Sequence, residues 1–224
     1  MTTIIQDDFK VKVDSQVIWK YPATGVYGIL CEPRRPGLYD FNGIIEKEKS
    51  KIRLPLNELK DDPIIAAFRS FYWRIGIDPT KQRPASEALM RRILQGNVIP
   101  SINYVVDAGN IASIRTHIPI GLYDYDKVRG ALRLTMSKAG EPFVDIAGKE
   151  GKTTEEVVLK DEAGVIHLFP HRDCDRTKIT SESKKVLILG CRVLGVTDEA
   201  CRAAAWQVVQ VLNELQSNPT DELQ

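Results

Sequence analysis

The chain has 224 residues, of which 43% are apolar and 27% are charged, and its formal net charge is +1. This length and apolar content are sufficient for a substantial hydrophobic core. The small net charge excludes a protein-wide electrostatic field that attracts nucleic acid or membranes, so any RNA binding must use a local basic patch.

The first part of the chain is predicted to form strands followed by helices. The alternating segment FKVKVD (9–14) and the apolar segment GVYGILCE (25–32) are typical of strands. The charged stretch 41–60 can be helical, although Pro55 limits it. A helix is predicted within 61–76, because Pro63 suits a first helical turn and Gly76 suits a stop.

The middle of the chain is predicted to contain a loop at 77–84 and then a second helix. Ser86 is the predicted N-cap of that helix, and Gly96 its stop. The β-branched segment INYVVD (102–107) predicts a strand, with a short helix or turn after it.

The last part of the chain combines strands with one long helix. The segments 130–136 and 184–195 predict strands, and 156–169 predicts a hairpin. Thr197 is the predicted cap of the final helix. The apolar stripe of that helix is predicted to contain Cys201, Ala205, Val208, Leu212 and Leu215. The tail 217–224 is expected to be frayed. We predict an α+β fold, as one domain over 1–224, because helices and strands mix without a βαβ rhythm.

The segment PHRDCDRTKIT (170–180) concentrates reactive groups, and three interpretations are open for it. A metal site lacks the paired His or Cys ligands of structural zinc, so we predict no metal. Cys174 as a nucleophile needs a His within reach, but His171 lies on the other face of an extended chain. The third interpretation is a solvated, ion-paired surface turn.

Four basic residues cluster around the 77–84 loop and the helix after it, close to Tyr72 and Trp73. These residues are Lys81, Arg83, Arg91 and Arg92. Basic groups beside aromatic rings can bind RNA through phosphate contacts and base stacking, although a solvated helix face is the simpler explanation for each residue taken alone.

Residues 76–130 carry motifs in a specific order: GIDPTKQRPASEALMRRIL, then GNVIPSINYVVDAGNIASI, then PIGLYDYDKVRG. This order resembles the B3/B4 domain of the phenylalanyl-tRNA synthetase beta subunit. The matching positions are Ser86, Arg92, Gly96, Pro100, Val106, Asp107, Asn110, Pro119 to Asp124, and Gly130. Downstream, Gly140-Glu141, the late hairpin and DRTKIT match as well. The resemblance spans about residues 64–195, and residues 1–63 are expected to complete the fold.

The resemblance implies a single B3/B4-like domain, with mixed sheets packed against helices and a pocket between strands. It also implies an editing activity, in which the ester of a mischarged aminoacyl-tRNA is hydrolysed. The chain is expected to be a free-standing, trans-acting version, since it has no room for a synthetase catalytic domain. One free-standing group removes the arginine analogue canavanine from tRNA(Arg). In the synthetase the PIGLYD turn carries a His, and here Gly121 stands in its place.

We assign roles to the candidate site residues as hypotheses. Asn110 and Thr177 position the ester or a water molecule, and His171 is a candidate general base because its ordinary pKa lies near 7. Gly121 leaves space and exposes a backbone N–H. Asp173 or Asp175 binds an amino group or a cationic side chain, and Arg176 holds phosphate or the two aspartates. The four basic residues contact tRNA phosphates.

Two other functions remain open at this point. One is a non-catalytic module that binds tRNA or an amino acid, and the other is a small-molecule enzyme that reuses the pocket. We expect tRNA as the partner, with no DNA, no membrane and no cofactor, and the oligomeric state is undetermined. Four cysteines without a C-x-x-C pair, and a start without a basic, apolar leader, predict a reduced, cytoplasmic protein.

Overall fold

The computed structural model describes residues 1–217, so all but the first residue of the predicted tail 217–224 lies outside the described residues. The helices are α1 (Ser15–Lys20), α2 (Phe41–Lys51), α3 (Pro63–Arg74), α4 (Ala85–Leu94), α5 (Tyr104–Thr116) and α6 (Asp198–Ser217). The strands are β1 (Thr3–Phe9), β2 (Lys12–Val13), β3 (Gly25–Glu32), β4 (Ile120–Asp124), β5 (Arg133–Met136), β6 (Pro142–Val144), β7 (Glu150–Lys152), β8 (Val157–Asp161), β9 (Gly164–Leu168), β10 (Arg172–Asp173) and β11 (Val186–Arg192). The predicted α+β class is confirmed.

The first sheet has four antiparallel strands in the order β1-β3-β11-β4. The strand predicted at 25–32 is confirmed as β3, and the strand predicted at 184–195 is confirmed as β11. β11 lies between β3 and β4 and is buried on both faces, which explains its continuous apolar sequence.

The second sheet has five strands in the order β10-β9-β8-β5-β2. The hairpin predicted over 156–169 is confirmed as β8 and β9. The strand predicted at 9–14 is wrong as a single element, because the chain leaves the first sheet after Phe9 and joins the second at Lys12. β6 and β7 form a separate two-stranded ribbon.

The two sheets and the helices form three layers. Ile29 and Ile188 lie on the face of the first sheet that packs against α2, α4, α5 and α6. Leu30, Leu187 and Leu189 lie on the opposite face, which packs against the second sheet. This division follows from the alternation of side chains along a strand.

Two local predictions in the middle of the chain are wrong. Residues 102–107 are not a strand, because the Asn103 side chain accepts hydrogen bonds from the Val105 and Val106 N–H groups and so begins α5. Ser86 does not cap α4. It is fully buried, and its hydroxyl donates to the His117 carbonyl at 2.7 Å, which joins α4 to the end of α5.

The predicted starts of two helices, α3 and α6, agree with the structure. α3 begins at Pro63, as predicted, and Asp62 caps it by accepting from the Ile64 and Ile65 N–H groups. Thr197 caps α6, because its hydroxyl oxygen accepts from the Ala200 N–H at 3.1 Å. All five residues of the predicted apolar stripe are buried. Within residues 1–217, no helix has the length and apolar character needed to cross a membrane.

Candidate functional site

A group of polar side chains lies between the two sheets, and we call it the inter-sheet polar cluster: Tyr72, Tyr123, His167, His171 and Asp173. Its centre is a His–Asp pair, with His167 Nδ1 2.7 Å from Asp173 Oδ1. The two residues are direct partners across the β9–β10 ladder. An ionised carboxylate can only accept hydrogen bonds, so Nδ1 is the donor in this contact, and Nε2 is the ring nitrogen that faces away from Asp173.

Asp173 also interacts with Tyr123 on β4. Burial, together with the charge of Asp173 and a hydrogen bond to it, raises the pKa of the Tyr123 phenol well above its usual value. The phenol therefore stays protonated and donates to the carboxylate. One carboxylate thus holds both the imidazole and the phenol in place.

Gly121 allows Tyr123 to take up this position. A Cβ atom added at Gly121 would lie 2.3 Å from the Tyr123 hydroxyl oxygen, far inside van der Waals contact. The side-chain space that Gly121 was predicted to leave for a substrate is therefore filled by the phenol of Tyr123.

Three buried polar atoms of the cluster have no hydrogen-bond partner within residues 1–217. They are His167 Nε2, His171 Nδ1 and the Tyr72 hydroxyl. A buried group without a partner loses its hydration free energy, so such groups normally meet water or a ligand. These atoms therefore indicate a place for a water molecule or a polar substrate group.

His171 lies against Tyr72, with ring centroids 6.3 Å apart. Burial lowers the pKa of His171 to about 4, and the charges of His167 and Arg172 act in the same direction. At neutral pH the ring is uncharged and is a weaker base than its ordinary pKa leads us to expect.

The segment after β10 is held by intramolecular contacts. Thr177 is fully buried, and its carbonyl accepts from the Asp124 N–H at 2.9 Å, which docks the segment on the end of β4. Asp175 pairs with Lys178 at 2.5 Å. Arg176 pairs with Asp161 through two hydrogen bonds, at 2.7 and 3.0 Å, and not with Asp173 or Asp175 as we expected.

The cysteines belong to the core. Cys174, which one interpretation made a nucleophile, is buried with its sulfur 3.3 Å from the Thr177 hydroxyl oxygen. Cys191 and Cys201 are buried as predicted, and burial raises the pKa of both thiols. Thiols of this kind are poor nucleophiles at neutral pH.

The four predicted RNA-binding residues line one cavity of about 730 Å³ between α4, α5 and the segment that joins them; we call it the basic cavity. Its lining consists of Lys81, Arg83, Ala85, Ala88, Leu89, Arg91, Arg92, Gln95, Asn97, Ile99, Pro100, Ile102 and Asn110. Four of these residues are cationic and none is acidic. The clustering predicted from sequence therefore exists in space.

Asn110 lies in the basic cavity rather than beside Gly121. α5 covers the helix-facing side of β4, since a Cβ at Gly109 would meet the Leu122 side chain at 2.5 Å. Gly121 and Tyr123 alternate with Leu122 and so face the second sheet. The structure thus separates the predicted site residues into two groups, on opposite sides of the first sheet.

His167 and Tyr123 are residues of the cluster that sequence reasoning missed. For His167 the reason is that the predicted hairpin 156–169 contains no strand after Phe169. The chain in fact turns again and returns as β10, which places His167 opposite Asp173. A His and an Asp separated by a short turn, in HLFPHRD, are the sequence signal that indicates this pair.

Comparison with known proteins gives consistent matches. A family model described as the B3/4 domain matches residues 67–213, somewhat further along the chain than the predicted 64–195. The phenylalanine–tRNA ligase beta subunit of Bartonella quintana (strain Toulouse) is 26% identical over 168 residues, 74% of this chain and 21% of that protein. The corresponding subunit of Tropheryma whipplei (strain Twist) is 32% identical over 100 residues, 44% of this chain and 10% of that protein.

The chain spans about a fifth or less of the length of these two relatives. Among solved structures, an N-terminal fragment of the phenylalanyl-tRNA synthetase beta subunit from Pyrococcus horikoshii aligns with a TM-score of 0.48 and 14% identity. That alignment covers 96% of this chain and 52% of the fragment.

Proposed function

This chain belongs to the B3/4 domain family, and from that membership we propose that it is a trans-acting hydrolase that cleaves the ester of mischarged aminoacyl-tRNA. Its curated relatives are tRNA ligase subunits, so a tRNA-related partner is the coarse expectation. The observation that carries the proposal is the basic cavity, in which four cations and no acids meet although the whole chain has a net charge of only +1.

The basic cavity supports an RNA substrate for electrostatic reasons. Clustered cations release counterions from a nucleic-acid backbone on binding, and this term supplies most sequence-independent affinity. Arg83, Arg91 and Arg92 offer forked donors that suit phosphate oxygens, and Lys81 adds a mobile point charge.

The inter-sheet polar cluster supports the hydrolytic step. In this proposal a water molecule adds to the ester carbonyl while His167 Nε2 takes its proton. The tetrahedral intermediate then breaks its bond to the ribose oxygen, which receives the proton back from Nε2. The products are the free amino acid and the tRNA hydroxyl, and no cofactor is consumed.

Asp173 acts in this proposal as a positioning residue. By accepting from Nδ1 it keeps the lone pair on Nε2 and stabilises the imidazolium that forms during the reaction. Thr177 and the Gly121 N–H keep their proposed roles near the ester, and Asp175 its proposed role toward a cationic group. Arg176 is assigned a structural role here, because Asp161 occupies its guanidinium.

The test is a deacylation assay on a panel of mischarged tRNAs with wild type and His167→Gln. We expect the variant to lose roughly 10²- to 10⁴-fold in rate, the usual contribution of a general base. The matched control is His117→Asn, because His117 forms the other His–Asp pair, with Asp62 at 2.9 Å, away from the cluster. Equal rates for His167→Gln and His117→Asn contradict the assignment of His167, and no hydrolysis above buffer by wild type contradicts the enzyme.

One observation favours a second candidate, a non-catalytic module that binds tRNA or an amino acid. The Tyr123 phenol fills the space beside Gly121, and His167 is only 5% exposed, so a substrate must displace side chains to reach Nε2. This candidate predicts saturable tRNA binding without turnover of any ester in the same panel.

A further inference from the structure

We infer that the basic cavity is a binding site for a single nucleoside phosphate, with the phosphate held by the cations and the nucleoside against an apolar wall. An unpaired nucleotide of RNA and a free mononucleotide present this same chemistry. The inference concerns binding alone. Only the identification of RNA as the source of the bound nucleotide rests on the proposed function.

The first argument is the charge of the lining. Four cationic side chains surround the cavity and no acidic one does, so an anion is the complementary ligand. Glu87, the acid on α4, is buried and paired with Arg69 at 3.0 Å, and it also lies 3.8 Å from the Arg83 guanidinium, so one carboxylate is shared between two arginines. Lys81 forms no ion pair within 4.0 Å among residues 1–217, although its charge contributes to lowering the pKa of Asp78 in the same loop, and its ammonium can bind a phosphate.

The second argument is that the arginines are held in place before any ligand binds. Arg91 Nη1 donates to the Leu56 carbonyl at 3.0 Å, and Arg92 Nε donates to the Val98 carbonyl at 2.6 Å. Each guanidinium keeps further N–H groups for a ligand. Holding donors in position before binding reduces the entropy that binding must overcome.

The third argument is that the opposite wall is fixed as well. Asp107 is fully buried and accepts from the Ser101 hydroxyl at 2.5 Å and from the Ile102 N–H at 2.9 Å. These bonds attach the segment that carries Ile99, Pro100 and Ile102 to the first turn of α5. Asn110 follows Asp107 by three positions and so lies on the same helix face, toward that segment.

The fourth argument is that the cavity contains apolar and amide groups, which binding of phosphates alone does not require. Leu89, Ile99, Pro100 and Ile102 form an apolar wall, although Ile102 is 64% exposed in the absence of a ligand. The Asn110 amide has no hydrogen-bond partner within residues 1–217 and offers both donors and an acceptor, as the edge of a base requires. The volume of about 730 Å³ lies within the range of about 300–1,000 Å³ of small-molecule sites.

The experiment is isothermal titration calorimetry with the four nucleoside 5′-monophosphates, ribose 5-phosphate and inorganic phosphate. We expect at least one mononucleotide to bind about tenfold or more tightly than ribose 5-phosphate. Lys81→Gln should weaken that mononucleotide about tenfold. Its charge-matched control, Lys47→Gln on the exposed face of α2, should bind as wild type does.

Two further variants test the nucleoside part. Asn110→Ala and Ile102→Ser should weaken the mononucleotide but leave ribose 5-phosphate unchanged, and Ile18→Ser, which alters an exposed isoleucine on α1, should change neither. Mononucleotides that bind no better than ribose 5-phosphate overturn the inference, as does equal weakening by Lys81→Gln and Lys47→Gln.

Competition with a short single-stranded RNA identifies the source of the nucleotide. RNA that displaces the mononucleotide supports an RNA nucleotide as the ligand, and a mononucleotide that RNA does not displace supports a free nucleotide. Both outcomes support the site. These titrations contain no ester, so they stay independent of the deacylation assay: loss of hydrolysis with intact nucleotide binding counts only against the proposed function.

Discussion

His171 shows how burial of one side chain couples stability to pH. Its pKa of about 4 in the folded protein lies below the ordinary value of 6.5, chiefly because burial disfavours the charged ring. Between these two values the unfolded chain binds a proton that the folded protein does not. The free energy of unfolding is therefore fully retained above about pH 6.5 and is lost as the pH falls toward 4.

We predict that His171→Gln removes this acid sensitivity. Between pH 7 and pH 5, wild type should lose about 2 kcal/mol more of its free energy of unfolding than the variant does. Urea unfolding at both pH values measures the difference, with His117→Asn as the control that retains His171. Parallel losses in wild type and His171→Gln contradict the prediction.

The inter-sheet polar cluster shows the limit of prediction at single positions. Gly121 was selected from sequence because a family motif covers it, and Asp173 because its charge suits a cationic group. Their partners, His167 and Tyr123, were not, because the contacts depend on the return of β10 and on the face that β4 turns toward the second sheet.

At the scale of elements, Asp107 organises the start of α5. Besides Ser101 and Ile102 it accepts from the Tyr39 hydroxyl at 2.7 Å, so one carboxylate joins α5 to the segment before it and to the loop before α2. Burial and the hydrogen bond to Asp107 raise the pKa of Tyr39, which keeps the phenol a donor.

We predict that Asp107→Ala destabilises the protein by about 2–3 kcal/mol, because three donors lose a buried charged acceptor. The Ile102 amide should also exchange its hydrogen faster than amides in the core of α5. Urea unfolding and hydrogen exchange measure these effects, and Asp126→Ala, at an exposed aspartate, is the control. An Asp107→Ala variant as stable as Asp126→Ala is evidence against this role.

Element boundaries were predictable where capping and periodicity agreed, as for α3, α6 and the β8–β9 hairpin. They failed at 102–107, where the β-branched pair Val105-Val106 favours a strand locally. The cap at Asn103 and the packing of α5 against β4 outweigh that weak preference.

At the scale of the whole molecule, a net charge of +1 coexists with a cavity lined by four cations. The acidic residues lie over the rest of the chain, where some of them form ion pairs with other cations, such as Asp161–Arg176 and Asp175–Lys178. Long-range attraction of RNA should be weak, and short-range contact with phosphates should dominate.

We predict that binding of single-stranded RNA falls steeply with salt. If all four cations contact phosphates, the plot of log K against log salt should have a slope of about −3. Lys81→Gln should make the slope shallower by about 0.7, and Lys47→Gln should leave it unchanged. Fluorescence anisotropy across a salt series measures both slopes, and a slope near zero for wild type rules out phosphate contact as the source of affinity.

The sequence by itself determined the fold class, most strands and helices, the family and the local concentration of cations around α4. These features follow from periodicity, capping residues and motif order, all of which act over short stretches of chain. Only the tertiary structure decided that Asn110 lies with the cations on one side of the first sheet while Gly121, His167 and Asp173 lie on the other. The reason is that this division depends on strand order and on which face each strand buries, which are set by packing between residues far apart in the chain.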